Sequence, residues 1–260
     1  MADPRSLSRY LPTMLTIASG VLLLLHGPLA QPVHYNDFAD QSVLFRIPHA
    51  ADVLSNVAFG VVAIWGWIRL WPLREHPALR QGWPGYALFL VALLLTAVGS
   101  AYYHLAPDNQ RLVWDRIPIG LTCAGLLAAV RAETRGDTNA ARDAAILSVL
   151  AVLSVGWWHY SDGPQPGDLR PYLFLQLLPL LLVPLWQAIY AAPGRDRAAF
   201  LAAVLLYVLA KLAEVSDHEL LARSGWISGH TLKHLLAAAA AAVLIGRLSQ
   251  RVREPAIPAP

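Results

Sequence analysis

The sequence predicts an all-α fold: a polytopic membrane helix bundle with a seven-helix core and one extra N-terminal helix. Three observations carry this. The chain has 260 residues, of which 56% are hydrophobic and only 14% charged, where soluble domains carry roughly 25% charged residues. Its apolar residues gather into eight runs, most of them near the ~20 residues that a helix needs to cross a hydrocarbon core. Arginine is distributed between alternate loops, which gives every run a direction. High hydrophobicity excludes a disordered chain. The single cysteine, Cys123, excludes a disulfide scaffold. The basic excess, 20 Lys+Arg against 17 Asp+Glu, is too slight to suggest nucleic acid.

The runs span residues 11–30, 51–71, 83–104, 117–130, 144–160, 171–191, 198–213 and 229–246. The fourth and seventh are short. Pro179 and Pro184 predict a kink in the sixth, because proline removes a backbone donor. The alanine stretch 237–242 suits close helix packing. Short connections leave no room for a soluble domain. Residues 1–33 hold the extra helix, 34–247 the seven-helix membrane domain and 248–260 a tail. The first run also resembles a cleavable signal peptide, with Arg5 and Arg9 before it and Gly27-Pro28-Leu29-Ala30 at its end. Cleavage would leave the direction of the other runs unchanged.

One set of loops and ends carries Arg5, Arg9, Arg69, Arg74, Arg80, Arg131, Arg135, Arg142, Arg195, Arg197, Arg247, Arg251 and Arg253. The other set carries only Arg46, Arg111, Arg116, Arg170, Lys211 and Arg223. The imbalance predicts that both termini are cytoplasmic.

An ionisable residue inside a membrane span is costly and is a functional candidate by default. Such residues gather at one level, opposite the arginine-rich loops: Ser55 and Asn56, Ser100 and His104, Asp115, Glu214, Asp217 and His218, and His230, Lys233 and His234. His230 and His234 stand four residues apart, so they share a helix face and can hold one metal ion. The plainer alternative for that pair is two separate polar groups, each hydrogen-bonded at a bundle interface. His104 supplies a third ligand at the same level. Three histidines with one open position make a catalytic zinc arrangement, and imidazole favours zinc over magnesium or calcium.

Asp115 beside that metal is expected to act as general base; otherwise it pairs with Arg111 or Arg116. Ser100, one turn before His104, is expected to donate a hydrogen bond to a developing oxyanion, or else to bond the carbonyl one turn earlier. Glu214, Asp217 and His218 read as support for the metal, as partners for Lys233, or as a salt-bridge patch. Lys233 could otherwise extend its ammonium to the interface. Trp71, Trp83, Trp157, Trp158 and Trp226, with His159, fit interfacial belts. His26 ends a span, and His34, His49 and His76 are loop residues without an assigned task.

These residues together resemble a known signature. Ser100-x-x-x-His104, then Asp115, then His230-x-x-x-His234 in the last helix are similar to the alkaline ceramidases. That family belongs to a superfamily of seven-helix membrane hydrolases that also takes in the adiponectin and progestin receptors. Ser55-Asn56 fits as well. Phe38-Ala39-Asp40-Gln41 and Ser228-Gly229-His230-Thr231-Leu232-Lys233-His234 resemble the bacterial branch, which implies a bacterial inner membrane. The resemblance implies that His104, His230 and His234 bind Zn2+, that Asp115 activates water and that Ser100 polarises an amide carbonyl. The expected substrate is a ceramide-like membrane lipid, cleaved to a fatty acid and a sphingoid base. The animal enzymes carry an acidic calcium site before the first core helix. Here that segment offers only Asp37 and Asp40, so Ca2+ is doubtful.

Two other classes compete. A seven-helix receptor or regulator of the same superfamily would keep zinc for structure, and a base beside an open coordination position argues against it. A haem-binding bundle would need axial ligands on opposite faces of the haem, which two histidines on one turn cannot supply. A membrane serine protease is disfavoured by the lack of a Gly-x-Ser-x-Gly element.

Overall fold

The computed structural model describes residues 8–136, 138–163 and 166–254. Arg5 and residues 255–260 of the tail lie outside them. In chain order the elements are α1 (Leu11–His26), a short hairpin of β1 (Val43–Leu44) and β2 (Ile47–Pro48), α2 (Ala50–Ser55), α3 (Val57–Leu70), α4 (Trp83–Leu105), α5 (Asn109–Arg135), α6 (Ala140–Ser161), α7 (Arg170–Ile189), α8 (Gly194–Val215), α9 (Asp217–Ser224) and α10 (Gly229–Arg251). Among the described residues seven helices are long and apolar enough to cross a membrane, with α2 and α3 counted as one. The fold is the expected all-α bundle.

Two boundaries differ from the sequence reading in ways that matter. The first run stops at His26, where Gly27 takes a φ of 87° and Pro28 follows. Its 16 residues rise about 24 Å, short of a full crossing. This helix packs on α7. Arg170 reaches the Leu24 carbonyl at 3.3 Å, and Leu29 N–H donates to Asp168 at 3.2 Å. Burial pushes the Asp168 carboxyl up, but hydrogen bonds from Arg170, Trp157 and Leu29 outweigh it and hold that group at about 2.

The fourth run starts eight residues before its apolar stretch, at Asn109. Asp108 is the reason: its side chain caps the helix by accepting from Arg111 N–H at 2.7 Å and pairs with the Arg111 guanidinium at 2.6 Å. Asp115 therefore lies inside a helix and is buried, rather than at its entrance.

In membranes, lipid tails compete for apolar side chains, so tight packing rather than hydrophobic contrast holds helices together. Helices α3, α4, α5, α7, α8 and α10 close into a ring, each against the next, and α7 and α8 touch least. Outside the ring, α6 leans on α5 and α7. Phe59, Ala63, Leu90 and Ile245 knit α3, α4 and α10 together, while Leu127, Leu175, Val183 and Phe200 join α5, α7 and α8. Val57, Val61, Ile64 and Ile68 recur at helical spacing on the outside of α3, and Leu201, Leu205, Val208 and Leu212 do so on α8. Such exposed apolar stripes suit contact with lipid.

The end of the bundle away from the histidines is stitched by ion pairs. Arg247 pairs with Asp196 and with Glu254, the latter at 2.6 Å, and Arg251 meets Glu133 at 2.9 Å.

Candidate metal centre

Helix α4 ends one residue after His104, and α10 begins one residue before His230. The start of α10 is fixed from three directions. Ser228 caps it by accepting from Thr231 N–H at 2.9 Å. Asp217 accepts from His230 N–H at 2.7 Å. Gly229 presses on the carbonyl of Ala213 at the end of α8, where any side chain would overlap backbone. One turn on, His234 points to the same side as His230.

The three imidazoles meet in the interior. His104 is 0% exposed, His230 4% and His234 3%. Their ring centroids lie 4.6, 4.7 and 5.1 Å apart. One ligand atom from each falls within 4.8 Å of the others. The closest approach is Nε2 of His104 to Nε2 of His230, at 3.1 Å.

The hydrogen bonds assign one tautomer. Ser55 Oγ donates its only proton to the Asp52 carbonyl at 2.8 Å. Its 2.7 Å bond with Nδ1 of His234 must then run from Nδ1–H to the hydroxyl. His234 is left with a lone pair on Nε2. That is the form in which a histidine binds a metal, with the far nitrogen donating to a fixed acceptor. Asp52 is itself held by Ser228 and Thr231, at 2.9 and 2.6 Å.

The cluster fits a metal ion better than a purely hydrogen-bonded trio. The hydrogen bonds leave the Nε2 lone pair of His234 free. Two Nε2 atoms at 3.1 Å can share at most one proton. A cation placed among the rings would take electron pairs that the network leaves unused.

Ser100 and Asp115 stand beside this cluster. Ser100 is one turn before His104 on α4, and its hydroxyl stands beside the Asp115 carboxylate of α5. The two helices meet closely because Gly99 lies on the carbonyl of Trp114. Pro118, four residues after Trp114, has no N–H to bond that carbonyl. Arg111, offered by the sequence as the partner of Asp115, pairs with Asp108 instead, and Arg116 forms no ion pair among the described residues.

Ser100, Asp115 and His234 all line one cavity of about 290 Å³ inside the helix ring. Its walls run past Leu93, Leu126 and Phe200 to Ala241 and Leu244. They are mostly apolar. Pro179 lines it at the sparsely packed side between α7 and α8.

Other candidates separate once placed. Glu214 pairs with Lys211 at 2.7 Å and Lys233 at 3.0 Å, so it serves the lysines. Asp217 holds backbone, and His218 is exposed near the Asp37 carbonyl at 3.3 Å. The Asp40 carboxylate accepts from Ser42 N–H at 2.9 Å and Asp52 N–H at 3.0 Å. Burial pushes that carboxyl up, and these bonds win, holding it below the ordinary range. His49 gains a task, since its Nδ1 meets the Asp40 carbonyl at 2.5 Å. Trp157 and Trp226 are exposed, as belt residues would be, but Trp158 is fully buried.

The sequence reading quoted Phe38 only within a stretch of the resemblance and gave it no place in the site, and it did not name Asp52. Phe38 packs its ring 4.6 Å from His104 and 4.4 Å from His230, closing the cluster from the side of the loop 27–49. That loop is held by Asn36 and Gln31, which both donate to Asn109 at 3.0 Å, and by Ala39 N–H to Asp217 at 2.9 Å. The signal in the sequence was the Phe38-Ala39-Asp40-Gln41 stretch, which says nothing of where the ring packs.

Comparison of the chain with protein-family models, with curated proteins and with solved structures returned no match.

Proposed function

We propose that this chain is an integral membrane zinc hydrolase that cleaves the amide bond of a ceramide-like lipid to a fatty acid and a sphingoid base. One observation carries the reading: a buried trio of histidines adjoins a carboxylate and a hydroxyl on the wall of a long apolar cavity. His104, His230 and His234 would hold the ion. Bound zinc would supply Lewis acidity, making a water nucleophilic near neutral pH.

The chain's own groups carry the rest. The reaction adds a water oxygen to the amide carbon and breaks the C–N bond. Asp115 takes a proton from that water and returns it to the leaving nitrogen. Ser100 donates a hydrogen bond to the carbonyl oxygen as charge builds on it. Leu93, Leu126 and Phe200 shelter an acyl chain, which enters sideways between α7 and α8. A zinc kept for structure, as in a receptor, would need neither the acid nor the cavity.

The test is metal removal. The purified protein is expected to hold about one zinc per chain and to release fatty acid from N-acylated sphingoid bases. Chelation should abolish release, and added zinc should restore it. Full activity in a metal-free preparation would overturn the proposal.

Loop charge supports an inner-membrane orientation with cytoplasmic termini and the histidine end outside. Impermeant maleimide on intact cells tests it, with Cys123 first changed to Ala. Gln110→Cys should react and Gln81→Cys should not, both positions being exposed. The reverse pattern would place the site on the cytoplasmic side.

A further inference from the structure

Arg116 follows Asp115 on α5 and lines the same cavity. It is only 2% exposed. Its guanidinium lies 4.0 Å from the ring of Trp158, 5.0 Å from Tyr35 and 5.4 Å from Tyr172. Nε and Nη1 are buried with no hydrogen-bond acceptor, and the side chain makes no ion pair among the described residues.

A buried cation whose N–H groups have no acceptor is expensive. Three aromatic faces recover part of that cost, but they supply no acceptor for the N–H groups. The other charges around the cavity do not supply one either. Its lining holds the cations Arg116, Lys211 and Lys233 and the carboxylates Asp115 and Glu214. Glu214 is shared by both lysines, and Asp115, beside the Ser100 hydroxyl, divides its charge between Lys233 and Arg116 without accepting a hydrogen bond from the guanidinium. One positive charge is left over, rigidly caged, next to the residue assigned as the base. A planar guanidinium in that position matches an oxyanion, most strongly a carboxylate.

We infer that Arg116 recognises a carboxylate carried close to the amide, so that the same cavity also takes N-acyl amino acids, beside ceramide-like lipids, and binds them more tightly than their neutral counterparts. This rests on the reading of the cavity as the place where a lipid amide is cut. Apolar walls take the acyl chain, Ser100 and Asp115 meet the amide, and Arg116 takes the carboxylate on its amine side. The neutral counterpart of such a conjugate offers the guanidinium no charged acceptor and should bind less tightly.

The test is equilibrium binding to the full chain in neutral detergent after chelation, so that neither zinc nor turnover enters the result. The probes are radiolabelled N-oleoylglycine, its neutral counterpart N-oleoylethanolamine, and oleate. Wild type should bind N-oleoylglycine at least about tenfold more tightly than the ethanolamide, the scale of one charge-assisted contact. Arg116→Gln should bring the two within about twofold, chiefly by weakening the glycine conjugate. Should that variant fail to fold, Arg116→Lys carries the comparison: it keeps the charge, loses the planar fork and should narrow the preference. Equal binding of both amides by wild type, or a preference unchanged in the variant, would overturn the inference. So would oleate binding as tightly as N-oleoylglycine, because the carboxylate would then belong to the product. Loss of the zinc-hydrolase reading would leave this binding preference intact, so the two can fail separately.

Discussion

His230→Ala is expected to remove zinc and amide hydrolysis together. His230 gives one of three imidazoles, and a two-histidine site left in a buried pocket has no further protein ligand: among the described residues only these three group as a metal-binding set. The change also opens space beside Phe38, whose ring lies 4.4 Å away. Zinc in the purified variant should fall to background, and turnover by roughly 10³-fold or more, which is several kcal/mol of lost electrostatic stabilisation. Metal analysis and fatty-acid release on the same sample check this. His218→Ala is the control, because that imidazole is exposed and lies outside the cluster; it should keep both zinc and turnover. A His230→Ala protein with stoichiometric zinc would remove the three-histidine assignment.

Much of this was legible in the sequence, and the reasons are specific. His230 and His234 share a face by helical spacing alone. His104 joined them because hydropathy and loop charge put it at the same end of the bundle. The lengths of most spans followed from apolar runs. What failed was local. The polar stretch 109–116 hid a helix, although Asp108 before it is a helix-start signal. The first run was read past Gly27, where the chain turns.

Contacts made across the bundle were out of reach. Trp158 was assigned to a surface belt because tryptophan is common there; it is instead buried against Arg116. Hydropathy does not say which side of a helix faces lipid when nearly every position is apolar. Ser55 was noticed only as a polar residue at the right level. Its bond to Nδ1 of His234 depends on α2 and α10 crossing at that point. Phe38 sits in a loop with no periodicity, so nothing short of the fold places its ring on two histidines.

Asp115→Asn should separate metal binding from chemistry. Asparagine keeps the shape of the side chain and can still accept from Ser100, so the packing between α4 and α5 stays as it is. The three histidines are untouched, and zinc should remain at about one per chain. What is lost is a group that can take a proton from water and hand it to the leaving nitrogen. General acid–base groups contribute roughly 10²–10⁴-fold, so kcat should fall by that factor, about 3–5.5 kcal/mol at 1.36 kcal/mol per tenfold. KM should change little, because the loss lies in the transition state rather than in substrate binding. A steady-state comparison with zinc measured on the same preparation decides the matter. Unchanged turnover would dismiss Asp115 as the base. Zinc lost along with turnover would make the carboxylate part of the metal's support, and the proton would then have to move through another group on the cavity wall.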